Sequence, residues 1–266
     1  NDLAVSNVLG SNIFNLLVVL GACSLIQPVQ AKSSLLKKEF PFSIFIAVIL
    51  LLLDSDFSIS KVLEGEGTFT LGRLGGILFL ILFAVFLYAT VKTALRSRDE
   101  MVDEEEYKVM SPVKSALYII IGLAGIIWGG DLVVDSACNI AETFGLSQTF
   151  IGLTIVAVGT SLPELVTAIT SLAKGHGALS LGNVIGANLF NLVLVSGVSV
   201  TLAPFAIPSE SMLFGHPASL VLDIPVMFAV MLLLTVPALI RGKLSRVQGV
   251  LLLAIYAAFC VIQFVM

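Results

Sequence analysis

The sequence predicts an all-α, polytopic membrane protein, on the strength of its composition, its hydropathy pattern and an internal repeat. Of its 266 residues, 58% are hydrophobic and only 12% charged, and the mean hydropathy is +1.06. A soluble domain carries charges on roughly a quarter of its residues, so this balance belongs to a chain that sits largely in lipid. The apolar residues fall into eight runs, each near the roughly 20 residues needed to cross a bilayer. They cover 3–26, 40–54, 72–95, 113–131, 147–173, 178–202, 218–240 and 246–266. The first and sixth runs carry the same polar pattern, and they lie five spans apart.

Taken in order, the first run is rich in Asn and Gly. The second is short and either tilts little or borrows length at its ends. The third ends at the acidic stretch 96–111, where Asp99, Glu100, Asp103, Glu104, Glu105 and Glu106 mark an aqueous linker. The fourth carries Trp128, which fits an interfacial anchor, and closes on Asp131, Asp135 and Glu142, read as solvated residues at an outer helix end. The fifth and sixth are joined by a Lys174-Gly175-His176-Gly177 turn, and the last two flank Arg241, Lys243 and Arg246. With the chain start outside and the spans alternating, the inner connections hold Lys32, Lys37, Lys38, Lys92, Arg96, Arg98, Lys108, Lys114, Lys174, Arg241, Lys243 and Arg246. The outer ones hold only Lys61 and Arg73. Cytoplasmic loops collect Lys and Arg, so the asymmetry supports this orientation, with 96–111 cytoplasmic.

Other classes are excluded by what the chain lacks. Its net charge of −4 comes largely from one loop and suggests no nucleic-acid partner. Cys23, Cys138 and Cys260 are scattered singly, without the spacing of a zinc or redox site. No charged n-region precedes a short apolar stretch, so no signal peptide is read. Nothing in the composition or the motifs speaks to oligomeric state.

The repeat aligns NDLAVSNVLGSNIFNLLVVLG at 1–21 with GALSLGNVIGANLFNLVLVSG at 177–197. Asn7 matches Asn183, Gly10 matches Gly186, Asn12 matches Asn188, Asn15 matches Asn191 and Gly21 matches Gly197. Pro28 and Pro204 follow at the same offset. The echo continues where Glu39-Phe40-Pro41 meets Asp223-Ile224-Pro225, and where Leu71-Gly72-Arg73 with Gly76 meets Leu244-Ser245-Arg246 with Gly249. Helices five spans apart cross the membrane in opposite directions. Repeats of inverted topology are characteristic of secondary transporters, whose sites lie near the midplane between the repeats. In the second copy a GTSLPE helix precedes the Asn-rich one, and in the first nothing precedes Asn1. The sequence therefore reads as an N-terminally truncated transporter: residues 1–95 as three helices of the first repeat, 96–111 as the linker, and 112–266 as the second repeat of five helices.

The polar residues inside these runs are the candidates for chemistry. A carboxylate at the centre of a bilayer costs roughly 2.5–3.5 kcal/mol even on lenient scales, so Glu164 marks a functional site. Pro163 has no N–H for the Gly159 carbonyl and its ring crowds it, so the helix is expected to kink there. Freed backbone at membrane depth is tolerated only beside protein or a wet cavity. Thr160 and Glu164 share a face, and with Ser161 they offer the hard oxygens that sodium and calcium favour. Alternatively, these hydroxyls bond back to their own helix. Ser11 and Asn15, like Ala187 and Asn191, lie four apart. Asn15 and Asn191 are either ligands or interhelical contacts, whereas Asn12 and Asn188 read as interhelical hydrogen bonds. Gly10 and Gly186 read as close backbone crossings. Glu39 and Asp223 flank helix starts, which favour acidic residues, or line a vestibule.

GTSLPE followed by GN-x-x-G-[SA]-N-x-F-N resembles the alpha repeats of the cation/calcium exchanger superfamily, close to prokaryotic sodium/calcium exchangers. The resemblance covers nearly the whole chain. It implies a ten-helix inverted-repeat fold, of which this sequence holds eight, and one midplane site shared by calcium and sodium. Glu164 is then the principal carboxylate. Thr160, Ser161 and the carbonyl of Ala157 are sodium ligands, and Asn191, Ser11 and Asn15 complete the site. Two positions depart from the pattern. Ala187 stands where the motif often has Ser, which removes a hydroxyl. Asn191 stands where potassium-dependent relatives carry Asp.

The expected function is an antiporter of the inner (plasma) membrane that exchanges calcium for sodium by alternating access, with no cofactor and the lipid bilayer as its environment. A calcium/proton antiporter on the same scaffold is the alternative, with Glu164 binding the proton. An intramembrane hydrolase is disfavoured, because no His lies within a span and no second Asp or Glu sits at the depth of Glu164.

Overall fold

A chain segment in lipid must satisfy its N–H and C=O groups internally, and the apolar runs answer this by folding as helices. The computed structural model describes residues 2–30, 41–42, 45, 70–97, 110–146, 148–203, 205–206, 212–213, 216–217 and 222–265. The first run is one rod of α1 (Asp2–Phe14), a π-helical segment π1 (Asn15–Val19) and α2 (Leu20–Ile26). The third is α3 (Arg73–Ser97), and the fourth is α4 (Pro112–Thr143). The fifth comprises α5 (Gln148–Ile151), π2 (Gly152–Val156), α6 (Ala157–Thr160) and α7 (Leu162–Ala173). The sixth is α8 (Gly177–Leu189), π3 (Phe190–Val195) and α9 (Ser196–Leu202). The last two are α10 (Ile224–Arg241) and α11 (Arg246–Val265). The run at 40–54 lies outside the described residues except for 41–42 and 45, as do Glu39 and most of the linker 96–111.

Among the described residues, five helices are long and apolar enough to cross a membrane, and the pair Gly152–Thr160 and Leu162–Ala173, bent by 50°, makes a sixth when taken as one span. The fold is therefore all-α and polytopic. One boundary differs from expectation. Hydropathy places the fourth span at 113–131, but α4 continues to Thr143, a 32-residue helix. No Pro interrupts residues 131–143, and the stop comes only at Gly145, whose φ of 72° suits a glycine C-terminal to a helix. At about 1.5 Å per residue such a helix exceeds the roughly 30 Å apolar thickness, so it tilts or protrudes. Asp131 and Asp135 lie on it, four residues apart.

The two repeats are interlaced, each completing the other. Two short strands of the first copy, β1 (Val29–Gln30) and β2 (Thr70–Leu71), match β3 (Phe205–Ala206) and β6 (Lys243–Leu244) of the second. Each pairs across the copies, β1 with β6 and β2 with β3, both antiparallel. A further pair, β4 (Met212–Leu213) and β5 (His216–Pro217), lies between. The helices cross in the same exchanged way, α2 against α11 and α9 against α3. Aromatic pairs repeat it too. Phe14 meets Tyr256 edge-on at 5.6 Å, and its counterpart Phe190 meets Phe83 edge-on at 5.6 Å.

Glycines make these crossings possible. A Cβ on Gly249 would sit 2.7 Å from the main-chain oxygen of Gly21, and one on Gly76 would sit 2.9 Å from that of Gly197. Main-chain oxygens cannot move aside as side chains do. Gly249→Val is therefore expected to cost about 1–3 kcal/mol or more, read as a lowered thermal midpoint in detergent. Gly122→Val, on α4 where a Cβ would have no atom of the described residues within 4 Å, is expected to be silent.

Candidate functional site

The two Asn-rich rods meet where each changes to π-helical form. A π turn inserts one residue, widens the rod locally and re-aims its side chains, and such turns gather at functional sites. The first begins at Asn15 and the other at Phe190, beside Asn191. Across the crossing, Asn191 Nδ2 donates to Ser11 Oγ at 3.1 Å. Asn188 Nδ2 donates to the Asn12 carbonyl at 3.2 Å, and Asn15 Nδ2 donates to Asn188 Oδ1 at 3.0 Å. As the number rises from 11 to 15 on one rod, its partner falls from 191 to 188 on the other. The rods thus run antiparallel, the arrangement expected of inverted repeats.

The GTSLPE segment docks on the first rod. Gly10 packs so closely against π2 that a Cβ there would lie 2.5 Å from the Leu153 carbonyl oxygen and 2.8 Å from the Ala157 Cβ. Thr160 Oγ1 lies 3.1 Å from Asn7 Oδ1, to which it donates, and 3.2 Å from the Ala157 carbonyl. The bend between α6 and α7 falls at Ser161, which is 1% exposed and lies outside helical geometry at φ −98° and ψ 3°. Its N–H reaches the carbonyls of Ala157 and Val158, both at 3.2 Å. Two residues on, Pro163 supplies no N–H to the Gly159 carbonyl. The kink expected from Pro163 is therefore present, with main-chain oxygen beside Thr160. On its opposite side, Gly159 packs so tightly on Val134 of α4 that a Cβ would overlap that side chain.

Glu164 follows in the first turn of α7. Its Oε2 is buried and has no hydrogen-bond partner among the described residues. Its main-chain carbonyl accepts from Asn183 Nδ2 at 3.5 Å, which ties the hinge to the start of α8. Asn15 Oδ1 and both polar atoms of the Asn12 amide are likewise buried and unpartnered. A buried carbonyl or carboxylate oxygen without a donor costs free energy unless something positive meets it. Among the described residues, no three of His, Cys, Asp and Glu come together. The donors here are one carboxylate, amides, hydroxyls and main-chain carbonyls, a set for hard cations.

The structure thus links Ser11 to Asn191, Asn15 to Asn188, and Thr160 and Ala157 to the first rod, while Glu164 joins through its backbone. Asn188 makes the interhelical hydrogen bonds read from sequence. Asn12 departs from that reading: its side-chain amide has no partner among the described residues, and only its main-chain carbonyl takes part, accepting from Asn188 Nδ2. Gly186 corrects the reading of a close crossing. Among the described residues nothing lies within 4 Å of a Cβ there, and none of them forms beside the second rod a counterpart to Gly152–Thr160, the helix that Gly10 packs on. Asp223 stands immediately before α10, at the helix start read from sequence. Its side chain makes no capping hydrogen bond there; it is 3% exposed and accepts from Gln263 Nε2 of α11 at 2.6 Å. Asn7 and Asn183 were missed as site residues. Their matching positions in the two copies were the available signal, since each repeat places one where a GTSLPE-type hinge would dock.

Comparison with known proteins agrees with this architecture. Residues 1–92 and 114–265 match the model of the family described as sodium/calcium exchanger protein. The chain is 36% identical over 264 residues to the putative antiporter CaxA of Alkalimonas amylolytica, covering 97% of this chain and 77% of that protein. It is 34% identical over 237 residues to the inner membrane protein YrbG of Escherichia coli strain K12, covering 86% and 69%. A solved structure of the sodium-calcium exchanger NCX_Mj superposes with a TM-score of 0.70 at 28% identity, covering 97% of this chain and 75% of that one. With the family model spanning nearly every described helix, the chain belongs to the sodium/calcium exchanger protein family, antiporters of multi-pass membrane architecture.

Proposed function

We propose that this protein exchanges calcium for sodium across the inner (plasma) membrane by alternating access. The observation that carries the reading is Glu164: a carboxylate oxygen buried without a partner among the described residues, in the first turn after a 50° hinge within a membrane span. Glu164 is the charged ligand. Thr160, Ser161 and the Ala157 carbonyl serve sodium, and Ser11, Asn15 and Asn191 supply neutral oxygens from the two rods. A fixed negative charge can be balanced by a divalent ion or by monovalent ones, not by both loads together. Competition for one site then couples the two fluxes, and an apolar barrier closes the empty carrier. The orientation places 96–111 in the cytoplasm and the residue-1 end outside.

The same orphan oxygen also suits a proton, which favours calcium/proton antiport as the second reading. Both are tested by calcium uptake into vesicles holding the full-length protein, with an outward sodium gradient, an outward proton gradient, or neither. Uptake that follows the sodium gradient and persists when a protonophore collapses the proton gradient supports the first reading. Uptake that follows only the proton gradient overturns it in favour of the second.

A further inference from the structure

From Asn7 to Asn15 and from Asn183 to Asn191 the two rods carry the same residues at their polar positions with one exchange: Ser11 in the first copy stands where the second has Ala187. The amides of Asn15 and Asn191, equivalent by the repeat, are held differently, and this exchange accounts for it. Asn191 Nδ2 donates to Ser11 Oγ, and Ser11 in turn donates to the Val8 carbonyl at 3.1 Å. The matching bond from Asn15 would run to residue 187, where Ala187 has no acceptor. Asn15 Nδ2 donates instead to Asn188 Oδ1.

The direction of this relay is determined. A main-chain carbonyl only accepts, so the Asn188 group bonded to the Asn12 carbonyl must be its NH2. That turns Asn188 Oδ1 toward Asn15, and an amide oxygen can be answered only by a donor. Asn15 therefore spends an N–H on Asn188 and keeps its oxygen free. That oxygen is buried and unpartnered, on a residue with 0% exposure.

We propose that Asn188 is the positioning residue for the cation ligand Asn15. Through an amide relay anchored on the Asn12 carbonyl, it does for Asn15 what the Ser11 hydroxyl does for Asn191. The inference rests on Asn15 being a ligand of the exchanged cation. Without the relay, half a turn of the Asn15 amide exchanges its oxygen for two N–H donors and turns a ligand into a repulsive group. The loss then falls on ion affinity rather than on the rate of the saturated carrier.

The test compares the full-length wild type with Asn188→Ala, Ala187→Ser and the double variant. Two readouts are taken: the calcium dependence of uptake into sodium-loaded vesicles, and the rise in thermal midpoint on adding calcium, which needs no transport. Asn188→Ala is expected to raise half-saturating calcium about tenfold, with the maximal rate within about twofold. In the double variant, the hydroxyl at 187 offers Asn15 the acceptor that Ser11 offers Asn191. Affinity is expected to return to within about threefold of wild type. A purely structural asparagine would lower the midpoint without calcium and would not be rescued by a neighbouring hydroxyl. Unchanged calcium affinity in Asn188→Ala, a double variant no better than the single one, or failure of both position-188 variants to fold would each overturn the proposal. A wild type that neither transports nor is stabilised by calcium would overturn the proposed function and this inference together. A wild type that binds calcium beside an equal Asn188→Ala overturns this inference alone.

Discussion

Glu164→Gln is expected to abolish calcium exchange, lowering uptake about 100-fold or more, with little change in the amount of folded protein. The substitution keeps the shape of the side chain and removes only its charge. In the wild type, the buried Oε2 meets no hydrogen-bond donor among the described residues, so its charge is available to a cation. Calcium takes roughly 6–8 oxygens, and its affinity is set largely by how many of them are charged. At this crossing the other oxygens come from Asn15, Asn191, Ser11 and Thr160, all neutral. Without the carboxylate, a dication would be left uncompensated in a low-dielectric setting, a penalty of several kcal/mol. The check is sodium-driven calcium uptake into vesicles, with purified yield and thermal midpoint measured in parallel. Full activity in the Gln variant would remove Glu164 from the ion path.

Gly10→Leu is expected to cause the second large loss, this time of the folded protein itself. Even the first carbon of a side chain at residue 10 would lie 2.5 Å from the Leu153 carbonyl oxygen and 2.8 Å from the Ala157 Cβ. Both belong to the helix that leads into the hinge, and a main-chain carbonyl cannot change rotamer to make room. Overpacking typically costs about 1–3 kcal/mol where side chains can yield. Here the first rod must separate from the hinge helix, which also parts Thr160 from Asn7. The expected outcome is loss of the monodisperse species in size-exclusion chromatography, with no exchange from what remains. Gly125→Leu, at a glycine of α4 with no atom of the described residues within 4 Å of a Cβ, is the control and is expected to behave as wild type. A stable, active Gly10→Leu would mean that this crossing is not tightly packed.

Much of this architecture was legible in the chain. Hydropathy located the helices because lipid leaves a backbone no other way to satisfy its polar groups. The repeat predicted antiparallel rods, since span parity fixes direction, and the descending register from Ser11–Asn191 to Asn15–Asn188 meets that expectation. Pro163 predicted the hinge because a missing N–H is a local property of one residue. The end of α4 was less legible. Apolar content falls at Asp131, but a helix ends only where its backbone leaves helical geometry, and that is at Gly145, with its φ of 72°.

What the sequence could not determine is how the copies share their contacts. Equivalent residues make the same contacts in exchanged form, as when Gly21 meets Gly249 and Gly197 meets Gly76. An alignment of two segments shows their likeness and not which partner each one meets. The same limit hid the different settings of Asn15 and Asn191. An amide can donate or accept along either arm, so its direction is set by the neighbours that packing delivers. For Asn191 that neighbour is the Ser11 hydroxyl, and for Asn15, facing a position without one, it is Asn188. The sequence by itself located the spans that the structure describes, their inverted repeat, the hinge and the polar residues proposed as ligands of a hard cation. Only the tertiary structure decided which oxygens are left free to meet one, because a hydrogen bond is a property of two groups brought together and not of either alone.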